Sequence, residues 1–135
     1  MGVWGAGNFE GDSPRDYLAG LAQRWEQIVD EVLAGQEPDE AKPLALWPGL
    51  DRIDGCVMPT VELIALAVER LDADHHPTLA TVGSWSDQVL ATFDAEIDGH
   101  DPDPKFQAER RAVLVATFER LARLVEARER EHEPS

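Results

Sequence analysis

Apolar residues recur at helical spacing in the first part of the chain. They follow one another at intervals of three and four residues, which keeps side chains on one face of an α-helix. This stripe consists of Leu18, Leu21, Trp25, Ile28 and Val32. Ser13 followed by Pro14 predicts the N-cap and the first helical position, and Gly35 predicts the end of the helix. The pattern therefore predicts an amphipathic first helix between Ser13 and Gly35.

Three later stretches show the same periodicity. They predict a second helix over residues 59–71, a third from Ser84 to Gly99, and a fourth, the longest, from Asp103 to about Arg130. The stripe of the third helix is Trp85, Val89, Phe93 and Ile97. The inward residues of the fourth are Phe106, Val113, Leu114, Thr117, Phe118, Leu121, Leu124 and Val125. The sequence has no strand-like alternation, so it favours an all-α fold.

The segments outside the helices complete this architecture. Residues 1–12 are rich in glycine around Trp4 and Phe9 and predict an extended arm that these aromatic rings anchor. Residues 36–55 contain three prolines and two glycines and predict a long loop. We therefore expect residues 1–135 to form one four-helix bundle-like domain with an extended N-terminal arm and a long C-terminal helix.

Negative charge dominates the composition. The chain has 27 acidic and 12 basic residues and a net charge of −15, which repels phosphate backbones and anionic lipid. We expect no nucleic-acid or membrane partner, and the longest apolar stretch, residues 63–68, is shorter than the about 20 residues of a membrane span. Without a signal-peptide pattern, the sequence predicts a cytoplasmic chain. The acidic surface is either simply solvated or docks a basic protein.

Two groups of oxygen and nitrogen ligands are candidate metal sites. Asp72, His75 and His76 form the richer group, although the sequence favours a solvated loop for them. The second group is Asn8, Glu10, Asp12 and Asp16, of which helix capping explains Asp12 and Asp16. Either group would serve a metal-dependent hydrolase.

Arg110 interrupts the inward stripe of the last helix, between Phe106 and Leu114. It either pairs with a carboxylate while its stem covers apolar surface, or holds a ligand carboxylate or phosphate in a cleft. The single cysteine, Cys56, has no basic neighbour in the sequence, and no motif of an activated nucleophile occurs. The sequence therefore favours a non-catalytic protein without a cofactor.

The amino terminus carries a recognisable motif. The segment Met1-Gly2-Val3-Trp4-Gly5-Ala6-Gly7-Asn8-Phe9-Glu10-Gly11-Asp12, continued by Asp16-Tyr17-Leu18, resembles the bacterial family called domain of unknown function 4259. The resemblance implies a small helical bacterial protein and no established activity. It marks five residues as the family signature, for which we expect a structural role: Trp4, Gly5, Gly7, Phe9 and Asp12.

The leading functional hypothesis is a small acidic interaction protein, similar to an immunity protein or an antitoxin, that binds a basic protein partner. The alternatives are a metal-dependent hydrolase and a helical protein that binds a small ligand, with tryptophan rings as stacking surfaces. The oligomeric state stays open, because Trp47 and the apolar second helix fit a dimer surface and a buried core equally well.

Overall fold

The computed structural model describes residues 8–9, 11–44 and 49–131. The helices are α1 (Asp12–Leu33), α2 (Gly49–Arg52), α3 (Met58–Arg70), α4 (Leu79–Glu96) and α5 (Pro104–Glu131). A π-helical turn, Ile53–Val57, joins α2 to α3, and short 3-10 helices occupy Asp39–Leu44 and Ile97–His100. The chain is an all-α domain of four packed helices with a long C-terminal helix, as predicted. No helix within these described ranges is long and apolar enough to cross a bilayer.

Successive long helices run antiparallel. At one end of the bundle, the backbone N–H of Leu50 in α2 donates to Glu96 Oε1 at the end of α4 over 3.2 Å. At the other end, Arg128 of α5 donates to Asp72 Oδ1, just after α3, over 2.6 Å. Arg15 near the start of α1 donates to the backbone carbonyl of the same Asp72. Because α1 and α5 each pack beside α3 and α4, the bundle has an up-down-up-down topology.

The core lies between the four helices and is centred on α4. The α4 stripe is buried as predicted: Trp85, Val89, Phe93 and Ile97 are each 5% exposed or less. Residues of the other helices complete the same cluster, among them Val29, Val61, Ile64, Leu114, Phe118, Leu121 and Val125. The Trp85 indole N–H donates to Asp30 Oδ1 over 2.7 Å, so the polar atom of this buried ring is satisfied.

The first helix starts differently from its prediction. The prediction of Ser13 as the N-cap is wrong, because Gly11 occupies that position and Asp12 is already helical. The Asp12 carboxylate lies in the first turn, near the positive end of the helix dipole. Pro14 is still among the first four residues, whose N–H groups have no helical acceptor, so its missing N–H costs no hydrogen bond. At the other end, Gly35 terminates α1 as predicted, with a positive φ of 83°.

The helix α4 begins five residues before the predicted Ser84. Thr78 is the N-cap, and its hydroxyl accepts a hydrogen bond from the backbone N–H of Thr81 over 3.1 Å. The Ser84 hydroxyl lies inside the helix and accepts from the Gln88 side chain. Both Thr78 and Ser84 have a hydroxyl that suits an N-cap, and the earlier one is used.

The second helix is confirmed as α3, which begins at Met58, one residue before the predicted start. The prediction of a loop over residues 36–55 is wrong where the structure describes that range, because helical turns occupy Asp39–Leu44, Gly49–Arg52 and Ile53–Val57. In a regular α-helix the ring of Pro59 would clash with the carbonyl of Gly55 and remove a hydrogen bond. Here the Met58 N–H instead donates to the carbonyl of Ile53, five residues earlier. This wider turn accommodates the proline inside a helical segment that runs from Gly49 to Arg70.

The predicted arm is described in part. Phe9 packs against a small cluster of Leu18, Ala67 and Ala73, so this ring anchors the chain to α1 and α3. Asp12 belongs to α1 and not to the arm. The predictions for Trp4, Gly5 and Gly7 lie outside the described residues.

The prediction that Phe106 and Val113 of α5 lie in the core is wrong. Phe106 is 54% exposed and Val113 is 51% exposed. At about 100° per residue, both lie roughly 80–100° around the helix from Leu114, which is fully buried. The buried arc of α5 is therefore narrower than its apolar stripe, and an apolar edge remains in solvent beside α3.

We expect Phe93→Ala to lower the free energy of unfolding by about 3–5 kcal/mol, because it leaves a cavity in the core. Phe106→Ala removes the same ring from a mostly exposed position and should cost about 0.5 kcal/mol or less. Urea unfolding followed by circular dichroism measures both. Equal losses would contradict the assignment of buried and exposed faces.

Candidate functional site

The antiparallel topology brings two acidic connections to one end of the bundle. Residues 36–54 run from the end of α1 into the π-turn, and residues 94–103 join α4 to α5. The Leu50 to Glu96 hydrogen bond holds the two segments together. They contain ten acidic and two basic residues, and three of these carboxylates, Glu40, Asp54 and Asp94, pair with arginines of α1 and α5. With those three arginines counted, this acidic end carries a net charge of −5.

The 94–103 segment exposes its carboxylates most completely. Asp98, Asp101 and Asp103 are all exposed. Asp103 caps α5 as predicted, because its Oδ1 accepts a hydrogen bond from the Lys105 N–H over 2.9 Å. Within the described residues, neither Asp98 nor Asp101 has an ion pair with a lysine or arginine. Their negative charge is therefore directed to solvent.

The 36–54 segment is fixed to α1 by one strong ion pair. Arg24 of α1 donates from Nε and Nη2 to the two carboxylate oxygens of Glu40, over 2.7 and 2.6 Å. These hydrogen bonds, together with a backbone hydrogen bond and the charge of Arg24, lower the pKa of Glu40 from 4.5 to about 2. The 3-10 helix that carries Glu40 is thereby fixed against the bundle.

Most cations of the chain pair with carboxylates from other elements. Arg111 of α5 binds Asp94 of α4 with two hydrogen bonds of 2.9 Å, which lower the pKa of Asp94. Arg120 of α5 contacts Glu62 and Glu69 of α3, each at 2.9 Å. Ten of the twelve basic residues form ion pairs with described carboxylates: Arg15, Arg24, Lys42, Arg52, Arg70, Lys105, Arg110, Arg111, Arg120 and Arg128. The surplus of carboxylates is left at the surface.

A cleft of about 290 Å³ between α3 and α5 adjoins the acidic end. It is lined by Asp54, Met58, Pro59, Glu62, Arg110, Val113 and Thr117. Arg110 Nη2 donates to Asp54 Oδ1 over 2.7 Å, and the guanidinium side chain is 25% exposed. Arg110 thus forms the carboxylate pair that one sequence hypothesis predicts, and it lines the cleft that the other requires. The volume is at the lower limit of typical small-molecule sites.

Arg128 occupies the other end of α5 and is buried. It donates to Asp72 Oδ1 over 2.6 Å and more weakly to the carbonyl of Val68 over 3.4 Å. The side chain joins α5 to the end of α3 while its aliphatic part is removed from water.

The three predicted metal ligands have separate partners. Asp72 binds Arg15 and Arg128. His75 Nε2 contacts Glu26 Oε2 of α1 at 2.5 Å. His76 Nδ1 lies 2.8 Å from the carbonyl of the adjacent Pro77. In the part of the chain that the structure describes, no three His, Cys, Asp or Glu side chains are arranged to hold a metal ion.

The remaining residues that the sequence suggested for catalysis, stacking or metal binding have the following positions. Cys56 is half-buried, and burial raises the pKa of its thiol, which opposes a role as a thiolate nucleophile. Trp85 is fully buried in the core and offers no stacking surface to a ligand. Glu10, Trp4 and Trp47 lie outside the described residues, and Asn8, Asp12 and Asp16 are exposed.

The charge excess was predictable from the sequence, but its position was not. The two segments of the acidic end are 40 residues apart along the chain. The sequence nevertheless contained an indication of this position. In an up-down-up-down bundle the first and third connections lie at the same end, and both connections are acidic here. Asp54 and Arg110 are 56 residues apart along the chain, so no local pattern in the sequence indicates their pairing.

Comparison with known proteins finds no match: no protein family, no curated protein and no solved structure matches this chain. The resemblance carried by the amino-terminal motif stays a prediction. The geometry of the acidic end and its adjoining cleft is the basis for a functional proposal.

The Arg24–Glu40 pair predicts how the stability of the fold depends on pH. Because the folded-state pKa of Glu40 lies below 4.5, the pair stabilises the fold above that pH, and the contribution is lost as pH falls from 4.5 towards 2. Arg24→Gln should move the Glu40 carboxyl titration, followed by NMR, back towards its ordinary range. Arg123→Gln, which changes an exposed arginine of α5, should leave that titration where it is. An unchanged titration in Arg24→Gln would refute the assigned cause.

Arg110 and Arg128 of α5 differ in exposure, and this difference predicts different effects on stability. Arg128→Ala should lower the free energy of unfolding by about 1–3 kcal/mol, because it removes buried aliphatic packing and charged hydrogen bonds. Arg110→Ala removes a more exposed pair and should cost about 1 kcal/mol or less. Urea unfolding of both variants makes the comparison. A larger loss for Arg110→Ala would show that its pair with Asp54 supports the fold.

Proposed function

We propose that this protein is a small, acidic, non-catalytic interaction protein of the immunity or antitoxin type that binds a basic protein partner in the bacterial cytoplasm. The observation that carries the proposal is the acidic end, where residues 36–54 and 94–103 bring ten carboxylates together and keep a net charge of −5 after pairing with Arg24, Arg110 and Arg111. The acidic end is the surface through which we propose that the partner binds.

The distribution of ion pairs supports this proposal. Arg111 and Arg120 lie in pairs between helices, while Asp98 and Asp101 are exposed and have no cationic partner among the described residues. A concentrated field of one sign attracts an oppositely charged protein and speeds the encounter. The same field repels the phosphates of nucleic acids, so a basic protein is the favoured class of partner.

The geometry gives less support to the catalytic alternative. The predicted metal ligands Asp72, His75 and His76 have separate partners, and the pKa of the Cys56 thiol is raised. A hydrolase would need such groups close together and activated.

The test is affinity capture from a lysate of the source bacterium at about 0.05 and 0.5 M salt, since salt screens exposed charges beyond roughly a Debye length. We expect one stoichiometric basic protein at low salt and much less at high salt. The double variant Asp98→Lys and Asp101→Lys should reduce its capture at least tenfold.

A matched control has the same change in total charge at another place. Asp87→Lys with Glu126→Lys alters two exposed carboxylates of α4 and α5 outside the acidic end, and it should reduce capture by less than threefold. Salt-independent capture, the absence of any basic protein, or equal effects of the two double variants would reject the proposal.

A further inference from the structure

Exposed apolar side chains flank the junction of α3 and α5. Among the described residues seven large hydrophobic residues are exposed, and three of them lie beside this junction: Leu66, Phe106 and Val113. Val113 lines the cleft together with Met58 and Pro59 of the facing helical segment. An apolar strip thus borders the cleft on both sides.

The spacing of these residues places them along a single groove. On α5, Phe106, Arg110, Val113 and Thr117 are four, three and four residues apart, so they share one face. On α3, Leu66 lies between Glu62 and Glu69, both of which contact Arg120 of α5, so Leu66 is on the side towards α5. We call this surface the α3–α5 groove.

The length of the groove matches two turns of a helix. Phe106 and Val113 are seven residues apart, which is about 10 Å along the axis, and the same separation holds for Pro59 and Leu66. An amphipathic helix presents apolar side chains at positions i, i+3 or i+4, and i+7, and grooves between helices commonly bind such helices.

The charges define which helix fits. The groove contains three carboxylates, Asp54, Glu62 and Glu69, against two guanidinium groups, Arg110 and Arg120. Asp54 belongs to both the groove and the acidic end, so the groove adjoins the acidic end. A second copy of this chain would instead bring together two proteins that each carry −15.

We infer that the α3–α5 groove is the docking site for a basic amphipathic helix of the partner. Its apolar residues would cover Phe106, Val113 and Leu66, and its Lys and Arg residues would face the acidic end. This inference rests on the proposed function and adds to it the place and the structural class of the contact.

The test uses a synthetic 14-residue peptide with leucines at helical i, i+4 and i+7 positions and lysines elsewhere. A scrambled peptide of identical composition has the same charge without the apolar stripe. Binding of the fluorescently labelled peptides to the full chain is measured by anisotropy. We expect the amphipathic peptide to bind at least tenfold more tightly than the scrambled one.

Two variants localise the contact. Val113→Glu places a carboxylate in the groove, and Ala116→Glu places one at an exposed position of the same helix outside it. Each variant adds one negative charge, which by itself strengthens attraction to a basic peptide. A tenfold loss in Val113→Glu, with less than a twofold change in Ala116→Glu, therefore reports lost apolar packing. Circular dichroism confirms that both variants fold.

The outcomes separate the inference from the proposed function. If both peptides bind equally and only Asp98→Lys with Asp101→Lys weakens them, the groove inference is overturned while the acidic end retains its role. If sedimentation shows a wild-type dimer that Val113→Glu dissociates, a second copy covers the groove and the inference is again overturned. Failure of the lysate capture, by contrast, rejects the proposed function itself.

Discussion

Twelve basic residues in a chain with 27 acidic ones impose the constraint on which the rest of the structure depends. Helices that pack side by side must avoid placing uncompensated carboxylates opposite one another. Arg111 compensates a carboxylate between α5 and α4, and Arg120 does so between α5 and α3. Arg15 and Arg128 both compensate the carboxylate of Asp72. The exposed pairs among these each contribute little, and the buried Arg128 contributes more. Together they compensate carboxylates where helices meet and leave the connections negative.

The parts of the fold that were predictable follow from local periodicity. The α4 stripe from Trp85 to Ile97 identified the buried face correctly, because four residues at spacing four can share only one side of a helix. The predicted helix boundary was wrong where two residues suited the same position, as Thr78 and Ser84 both suit the N-cap of α4. The predicted start of the second helix at Pro59 was correct to within one residue. The helical turns before it were missed, because proline suits a first turn and is also tolerated after a widened turn.

The candidate site was less predictable because it depends on contacts between distant segments. Arg110 was identified from its position in an apolar stripe, but Asp54 and the cleft follow from the packing of α3 on α5. Phe106 and Val113 were assigned to the core because the pattern shows which side of a helix is apolar, and not how much of that side the neighbouring helices cover. The difference between the apolar stripe and the buried arc is the surface on which the docking inference rests. In the proposed complex, charge at the acidic end would govern the rate of association, and apolar contact in the groove would govern the lifetime of the complex.

The π-turn has a consequence for how this chain tolerates changes in length. A wide turn holds one residue more than an α-turn, so residues 53–57 are equivalent to an α-helix with a single inserted residue. Deleting one residue there would impose the regular repeat, in which the ring of Pro59 clashes with a carbonyl of the preceding turn. It would also rotate α2 by about 100° relative to α3. Leu50 would leave the core and lose its hydrogen bond to Glu96. The register of the helix, as much as the identity of its residues, therefore maintains the connection between α2 and the end of α4.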